Sequence, residues 1–368
     1  MHARRTVAAL AALTTIGLVG SAQAAWGAPG PGDNSGPGSG TRVVQTNIVS
    51  DIPGMAALTD PLLVNPWGMS FLPTSPLWTS NQGTSTATLF SGAPPATPPA
   101  IVPLVVSING GPPTGQVANT TTSFPVTGSL GTGTARFIFA TLGGTISAWT
   151  PAAEATASVV VATTPGASYT GLTMINTPAG PELLAANFAQ GRIDVFDSSF
   201  HPLSTPGLFR GINIPKGFSP FNVQAIGNFV YVSYAKIDRA TGRSVDGRGL
   251  GFVTRFTPDG KHWKRIAARG ELNAPWGLAL VPAGFGSLTG KLLIGNFGDG
   301  HIGVYEPNKW HFRGFLAGEN GRPVQIERLW ALLPGTATTG GTDAIWFSAG
   351  IGNETHGLVG TFKATAAH

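Results

Sequence analysis

The chain has 368 residues, of which 42% are hydrophobic and 11% charged, with 52 Gly, 30 Pro and no Cys. That length supports one large domain with a full core, and the wealth of turn formers with no long amphipathic stretch argues for short strands over helices. The formal charge is +5, or +3 without Arg4 and Arg5, so the basic balance reflects scarce charge and gives no case for nucleic acid, while the missing cysteines exclude thiolate chemistry and disulfides.

Residues 1–24 read as a secretory signal. Arg4 and Arg5 are basic, 7–19 are apolar, and Ala22-Gln23-Ala24 is a small-residue cleavage site. The Arg pair leaves general secretory and twin-arginine export both open. The apolar run is short for a membrane span and no later segment qualifies. The mature protein is therefore expected outside the cell, without a transmembrane segment and as a monomer. Residues 25–41 are rich in Gly, Pro and Ser and read as a flexible leader.

A strand is predicted over 42–49. Six units of short strands follow. The first covers 67–71, 77–80, 88–90 and 101–106. The second covers 115–117, 136–140, 145–149 and 158–161. The third covers 171–174, 183–186, 193–196 and a strand near Leu208. The fourth covers 221–224, 229–233, 252–256 and 263–266. The fifth covers 276–280, 292–295, 302–305 and 312–315. The sixth offers three strands only, at 329–332, 344–347 and 358–362. Residues 186–197 align with 295–306, and Pro66-Trp67-Gly68 with Pro275-Trp276-Gly277. Repeats of this kind predict an all-β, six-bladed β-propeller over 42–363, with 364–368 as a tail. Strand 42–49 supplies the strand that the last blade lacks, closing the ring and removing its open edges.

Several motifs carry a resemblance: Val49–Gly54, Asn65–Gly68, Pro113–Val117, Ala135–Thr141, Phe196–Phe200, Asn273–Leu280 and Gly295–Gly300. They resemble an uncharacterised family of secreted bacterial proteins known by a catalogue number. More remotely, the repeat is similar to the NHL-type and gluconolactonase-type six-bladed propellers. The first resemblance implies fold and export. The second implies a divalent-metal site of Asn, Asp and Glu side chains at the channel, by analogy of fold.

Candidate site residues follow from equivalent blade positions. Asn81, Asn187 and Asn296 each end a second strand before a Gly-containing turn, with Thr141, Ser233 and Ser348 near the same place in the other blades. Amide oxygens are ligands for a hard cation such as Ca2+, but no carboxylate joins them, and turn capping is the simpler role. Trp67, Trp276, Trp330 and Phe221 begin four inner strands. Such rings either stack on a sugar or other flat ligand or pack the blades together. Asp299 and Asp343 read as turn residues, and Asp246-Gly247-Arg248-Gly249 as an inserted loop of the kind that carries function. His301 and His356 are the histidines placed for proton transfer. The cluster Lys261-His262-Trp263-Lys264-Arg265 reads as a solvated outer strand. No Gly-x-Ser-x-Gly elbow occurs, and Gly131-Thr132-Gly133 is no dinucleotide fingerprint because a strand follows it. The expectation is an extracellular binding or scaffold module for a small molecule, glycan or protein. The alternative is a metal-assisted hydrolase or lactonase of gluconolactonase type.

Overall fold

Short apolar runs separated by turn residues build six antiparallel sheets. The computed structural model describes residues 41–211, 213–306 and 309–365. The expected signal segment, nearly all of the leader and the last three residues lie outside them. From the axis outward, the first sheet runs Pro66–Ser70, Leu77–Asn81, Thr86–Ala93 and Thr97–Ser107. The second runs Pro113–Ala118, Phe137–Thr141, Thr145–Trp149 and Val159–Thr163. The remaining inner strands are Tyr169–Thr177, Phe218–Ile226, Pro275–Leu280 and Leu329–Pro334. All six inner strands touch in cyclic order, which makes the protein a closed six-bladed β-propeller.

The strands nearest the axis are buried on both faces, as in Pro66–Ser70, Leu77–Asn81 and Phe137–Thr141. Their sequences accordingly read as continuous apolar or small runs, because a neighbouring blade covers each face. Interblade cores follow. Leu184, Val195, Val223 and Val232 fill the seam between blades three and four, and Val253, Leu278 and Ile294 the next.

Closure is by the N-terminal strand. Val43–Ser50 pairs antiparallel with Leu358–Ala364, from Val43 opposite Ala364 to Ser50 opposite Leu358. Leu58–Thr59 adds a short parallel fifth strand outside it. The strand sits one residue later than predicted.

Two expectations are corrected. The outer strand of blade three is Pro202–Leu203, and Leu208 lies in a turn of the long connection to blade four, whose Gly, Pro and Ser content favours turns. Blade two carries an unforeseen hairpin, Pro125–Gly128 with Gly131–Thr134. Gly131 (φ 139°) adopts a backbone that only glycine takes readily, and this allows the tight reversal.

Candidate functional site

One short pattern builds the mouth of the channel where the inner strands begin. Pro66-Trp67-Gly68 recurs as Pro113-Thr114-Gly115, Tyr169-Thr170-Gly171, Pro220-Phe221-Asn222, Pro275-Trp276-Gly277 and Leu329-Trp330-Ala331. The first residue of each pairs with a residue of the second strand, its last one in every blade but the fourth: Asn81, Thr141, Asn187, Tyr234, Asn296 and Ala349. The ladder then skips one or two residues in every blade. Such a bulge re-aims a side chain, so the middle residues Trp67, Thr114, Thr170, Phe221, Trp276 and Trp330 form the hub. The third residue is small because blades meet there backbone to backbone. A Cβ on Gly115 would lie 2.3 Å from the Leu172 nitrogen, and one on Gly277 2.7 Å from the Trp330 carbonyl. Asn222 escapes this limit by sending its amide to the Trp276 carbonyl of the next blade, at 2.9 Å.

Two threonines in six hub positions leave room, and the four aromatic rings fill it. Trp67 stacks on Trp330 with centroids 3.5 Å apart, and Phe297 stacks on the same indole at 4.1 Å. Trp276 meets both Trp67 and Trp330 edge-on, and Phe221 meets Trp67 edge-on at 6.5 Å. None of these four hub rings is more than 6% exposed. Trp330 Nε1 donates to Asn65 Oδ1 (2.8 Å), and Trp276 Nε1 donates past blade four to the Thr170 carbonyl (2.9 Å). Trp67 Nε1 is buried with no hydrogen-bond partner among the described residues.

The three amides proposed as a ring are engaged inside their own blades or the adjoining turn. Asn81 Nδ2 donates to Thr86 and Thr88 hydroxyls, and its Oδ1 accepts from Thr79. Asn187 Nδ2 donates to Gln190 Oε1 (3.0 Å) and Asp194 Oδ2 (2.7 Å). Asn296 Nδ2 donates to the Glu271 carbonyl, and its Oδ1 accepts from the Asn273 N–H. Of the three further positions, Thr141 is a true equivalent. Ser233 and Ser348 stand one residue early, opposite the bulge, where they accept from the Asn222 and Ala331 N–H groups. Among the described residues no three of His, Cys, Asp or Glu come together as a metal-holding group.

Below the aromatic plug the channel is a cavity of about 220 Å3 with walls from all six inner strands. Its polar lining is neutral: Ser70, Gln116, Thr173, Asn222 and Gln224. Gln116 spans two blades, donating to the carbonyls of Gly68 (2.8 Å) and Trp78 (2.9 Å). Among the described residues no ionisable side chain lines the cavity.

Above the plug, the blade-four insertion at 238–250 crosses to blade six, passing over blade five. Arg243 pairs with Glu354, and Asp246 with Arg328. Arg328 also donates to Asn353 Oδ1 (3.0 Å) and lies 4.8 Å over the Phe297 ring. Asn65, Arg328, Asn353 and Glu354 all have positive φ, between 48° and 71°, a backbone that costs non-glycine residues energy and is concentrated at functional places. Sequence reasoning marked Asp246 as part of an inserted loop but gave no sign of its partner. His356 Nδ1 lies 2.7 Å from Asp51 Oδ2, and His301 Nδ1 3.5 Å from Asp299 Oδ1, in turns of different blades. Burial pushes the Asp299 carboxyl up, but hydrogen bonds from the His301 ring and backbone outweigh it and hold the group below its ordinary range. Asp343 is remote from these, paired with Lys363 at 3.0 Å.

No family profile matches the chain. Three uncharacterised proteins of Acanthamoeba polyphaga mimivirus do, two of them over most of its length. Uncharacterized protein R648 is 30% identical over 318 residues, covering 85% of this chain and 78% of that protein. Uncharacterized protein L690 is 32% identical over 323 residues, covering 85% and 84%. A structural-genomics protein of unknown function from Bacteroides thetaiotaomicron superposes with a TM-score of 0.53 at 11% identity, over 88% of this chain and 76% of that one. That likeness is one of fold.

Proposed function

The chain belongs to the family of these two uncharacterised mimivirus proteins, and we propose that it is an exported binding or scaffold module that recognises its partner on the loop-built face above the plug. The observation that carries this reading is the plug itself. Four aromatic rings from four blades pack together at the hub, one pair stacked and others edge-on, and a salt-bridged strap spans them. A rigid face of that kind suits recognition by a pre-organised surface, which limits the entropy lost on binding. Export rests on Arg4-Arg5, the apolar run 7–19 and Ala22-Gln23-Ala24. The NHL-like affinity and bacterial secretion belong to the same reading, with a glycan, small molecule or protein as the partner and the protein acting as a monomer.

The metal-assisted hydrolase of gluconolactonase type stands second. It requires Asn81, Asn187 and Asn296 to free their amide oxygens for a cation such as Ca2+, at the cost of the bonds these oxygens accept from the Thr79 hydroxyl and from the Gln190 and Asn273 N–H groups. The test is thermal melting after chelation, with calcium, magnesium or zinc restored, beside a panel of lactones. A native-state ligand at a hundredfold excess over its Kd stabilises by about 2.7 kcal/mol. The binding reading expects no rise with any of the three and no metal-dependent turnover. A rise that Asn187→Ala abolishes, together with lactone hydrolysis, overturns it.

A further inference from the structure

A large cavity lies away from the channel. It is a groove of about 1020 Å3 between blades three and four, roofed by the connection that follows Leu203. That size stands at the upper end of small-ligand sites, about 300–1,000 Å3. Arg192, Arg210, Lys216 and Arg239 line it, against one carboxylate, Asp194. Asp194 is already engaged: Oδ1 takes Arg192 Nε at 2.5 Å, and Oδ2 takes Asn187 Nδ2 at 2.7 Å and the Tyr169 hydroxyl at 2.9 Å. The carboxylate therefore offsets Arg192 and fixes its direction. Arg210, Lys216 and Arg239 have no carboxylate within ion-pair distance among the described residues. Arg239 is anchored across the seam by a 2.9 Å bond from Nη1 to the Ala189 carbonyl. In a chain with 11% charged residues, three unoffset cations on one groove form a concentrated positive field. The opposite wall is apolar. Leu208, Ile214 and Phe218 pack on the seam core and stay half-buried, each turning a side to the groove.

We propose that this groove binds an amphiphilic anion, a carboxylate or phosphate head on an apolar body. The head sits among Arg210, Lys216 and Arg239, and the body lies against Leu208, Ile214 and Phe218. Cations alone would take any phosphate, and an apolar wall alone would take any hydrocarbon. Their union in one groove selects molecules carrying both parts. This site is separate from the strapped mouth and stands whether or not that face binds a partner.

The test uses the full chain and the fluorescent anion anilinonaphthalene sulfonate, displaced in turn by dodecanoate, dodecyl phosphate, dodecanol and inorganic phosphate. Dodecanoate and dodecyl phosphate are expected to compete, and their ratio tells a carboxylate ligand from a phosphate one. Dodecanol should be about tenfold weaker or worse, the loss expected when a charge-assisted bond is removed, and inorganic phosphate should be at least about tenfold weaker because it has no apolar body to bury. Added salt should weaken the two charged ligands and leave dodecanol unchanged. Lys216→Glu with Arg210→Glu changes exposed side chains that hold no ion pair among the described residues, and should cut the affinity for the charged ligands at an unchanged melting temperature. The proposal is overturned if dodecanol or inorganic phosphate competes as well as dodecyl phosphate. It is equally overturned if the double variant, melting as the wild type does, binds dodecanoate and dodecyl phosphate undiminished.

Discussion

Substituting each hub tryptophan by phenylalanine separates ring packing from hydrogen bonding. Trp67, Trp276 and Trp330 are comparably buried in one cluster, so the lost ring area is a shared cost. The indole nitrogens differ. Without Trp330 Nε1, Asn65 Oδ1 loses a 2.8 Å donor, and without Trp276 Nε1 the Thr170 carbonyl loses a 2.9 Å donor at a residue that the strand ladder skips. Trp67 Nε1 has no such bond to lose. A buried polar group left unsatisfied costs about 1–3 kcal/mol. Trp276→Phe and Trp330→Phe should therefore each be about 1–3 kcal/mol less stable than Trp67→Phe, a large share of a total stability of about 5–15 kcal/mol. Urea unfolding followed by far-ultraviolet circular dichroism measures this without relying on the fluorophores being replaced. A double-mutant cycle of Trp330→Phe with Asn65→Ala should return a coupling of the same sign. Equal losses for all three variants, or a cycle that closes to zero, would refute the argument.

A protein beginning at Asp51 lacks the strand that covers Leu358–Ala364 and should aggregate, since the bared edge invites pairing between chains; equal melting temperatures for it and a protein beginning at Gly40 would defeat the closure account. Gly115→Ala puts a methyl 2.3 Å from the Leu172 nitrogen and should cost about 1–3 kcal/mol or more as overpacking, whereas Gly318→Ala, with nothing nearer than 3.6 Å, should stay within about 0.5 kcal/mol; chemical denaturation of the two variants checks this contrast. Asp299 has a depressed folded-state pKa, so its contribution is complete above the unfolded value of about 3.9 and is lost as pH falls through the folded one. Asp299→Asn should thus melt lower at neutral pH and lose less on acidification between about pH 6 and 3; parallel melting curves across that range would contradict it.

The ring was legible because its signals are local. Period, turn residues and the surplus strand at 42–49 all appear in the sequence, and closure leaves one place for that strand. The hub was partly legible. Pro-Trp-Gly showed twice, but Pro113-Thr114-Gly115 and Pro220-Phe221-Asn222 are the same pattern with the aromatic or the glycine exchanged, and comparing all six would have exposed the ring of small third residues. The asymmetry that fills the mouth could not be read, since it depends on which rings lean into the space beside Thr114 and Thr170. The strap could not be read either. Arg243 and Glu354 are 111 positions apart, and surface ion pairs have no sequence period. The blade-three groove escaped notice because its cations come from separate turns, and only the fold gathers them.

The shared blade also sets an order of assembly. The hydroxyl of Ser50 donates to the carbonyl of Gly357, 307 positions away, and the whole strand around Ser50 has its partner in the same late segment. On a ribosome this strand, the earliest of the described ones, is thus among the last to be paired. Blades one to five can each form from sequence-adjacent hairpins as they appear, while Val43–Ser50 waits as an unsatisfied edge. If the chain is threaded across a membrane during that interval, its direction of travel places the waiting strand on the far side first, and the ring can lock only after nearly the whole domain has arrived there.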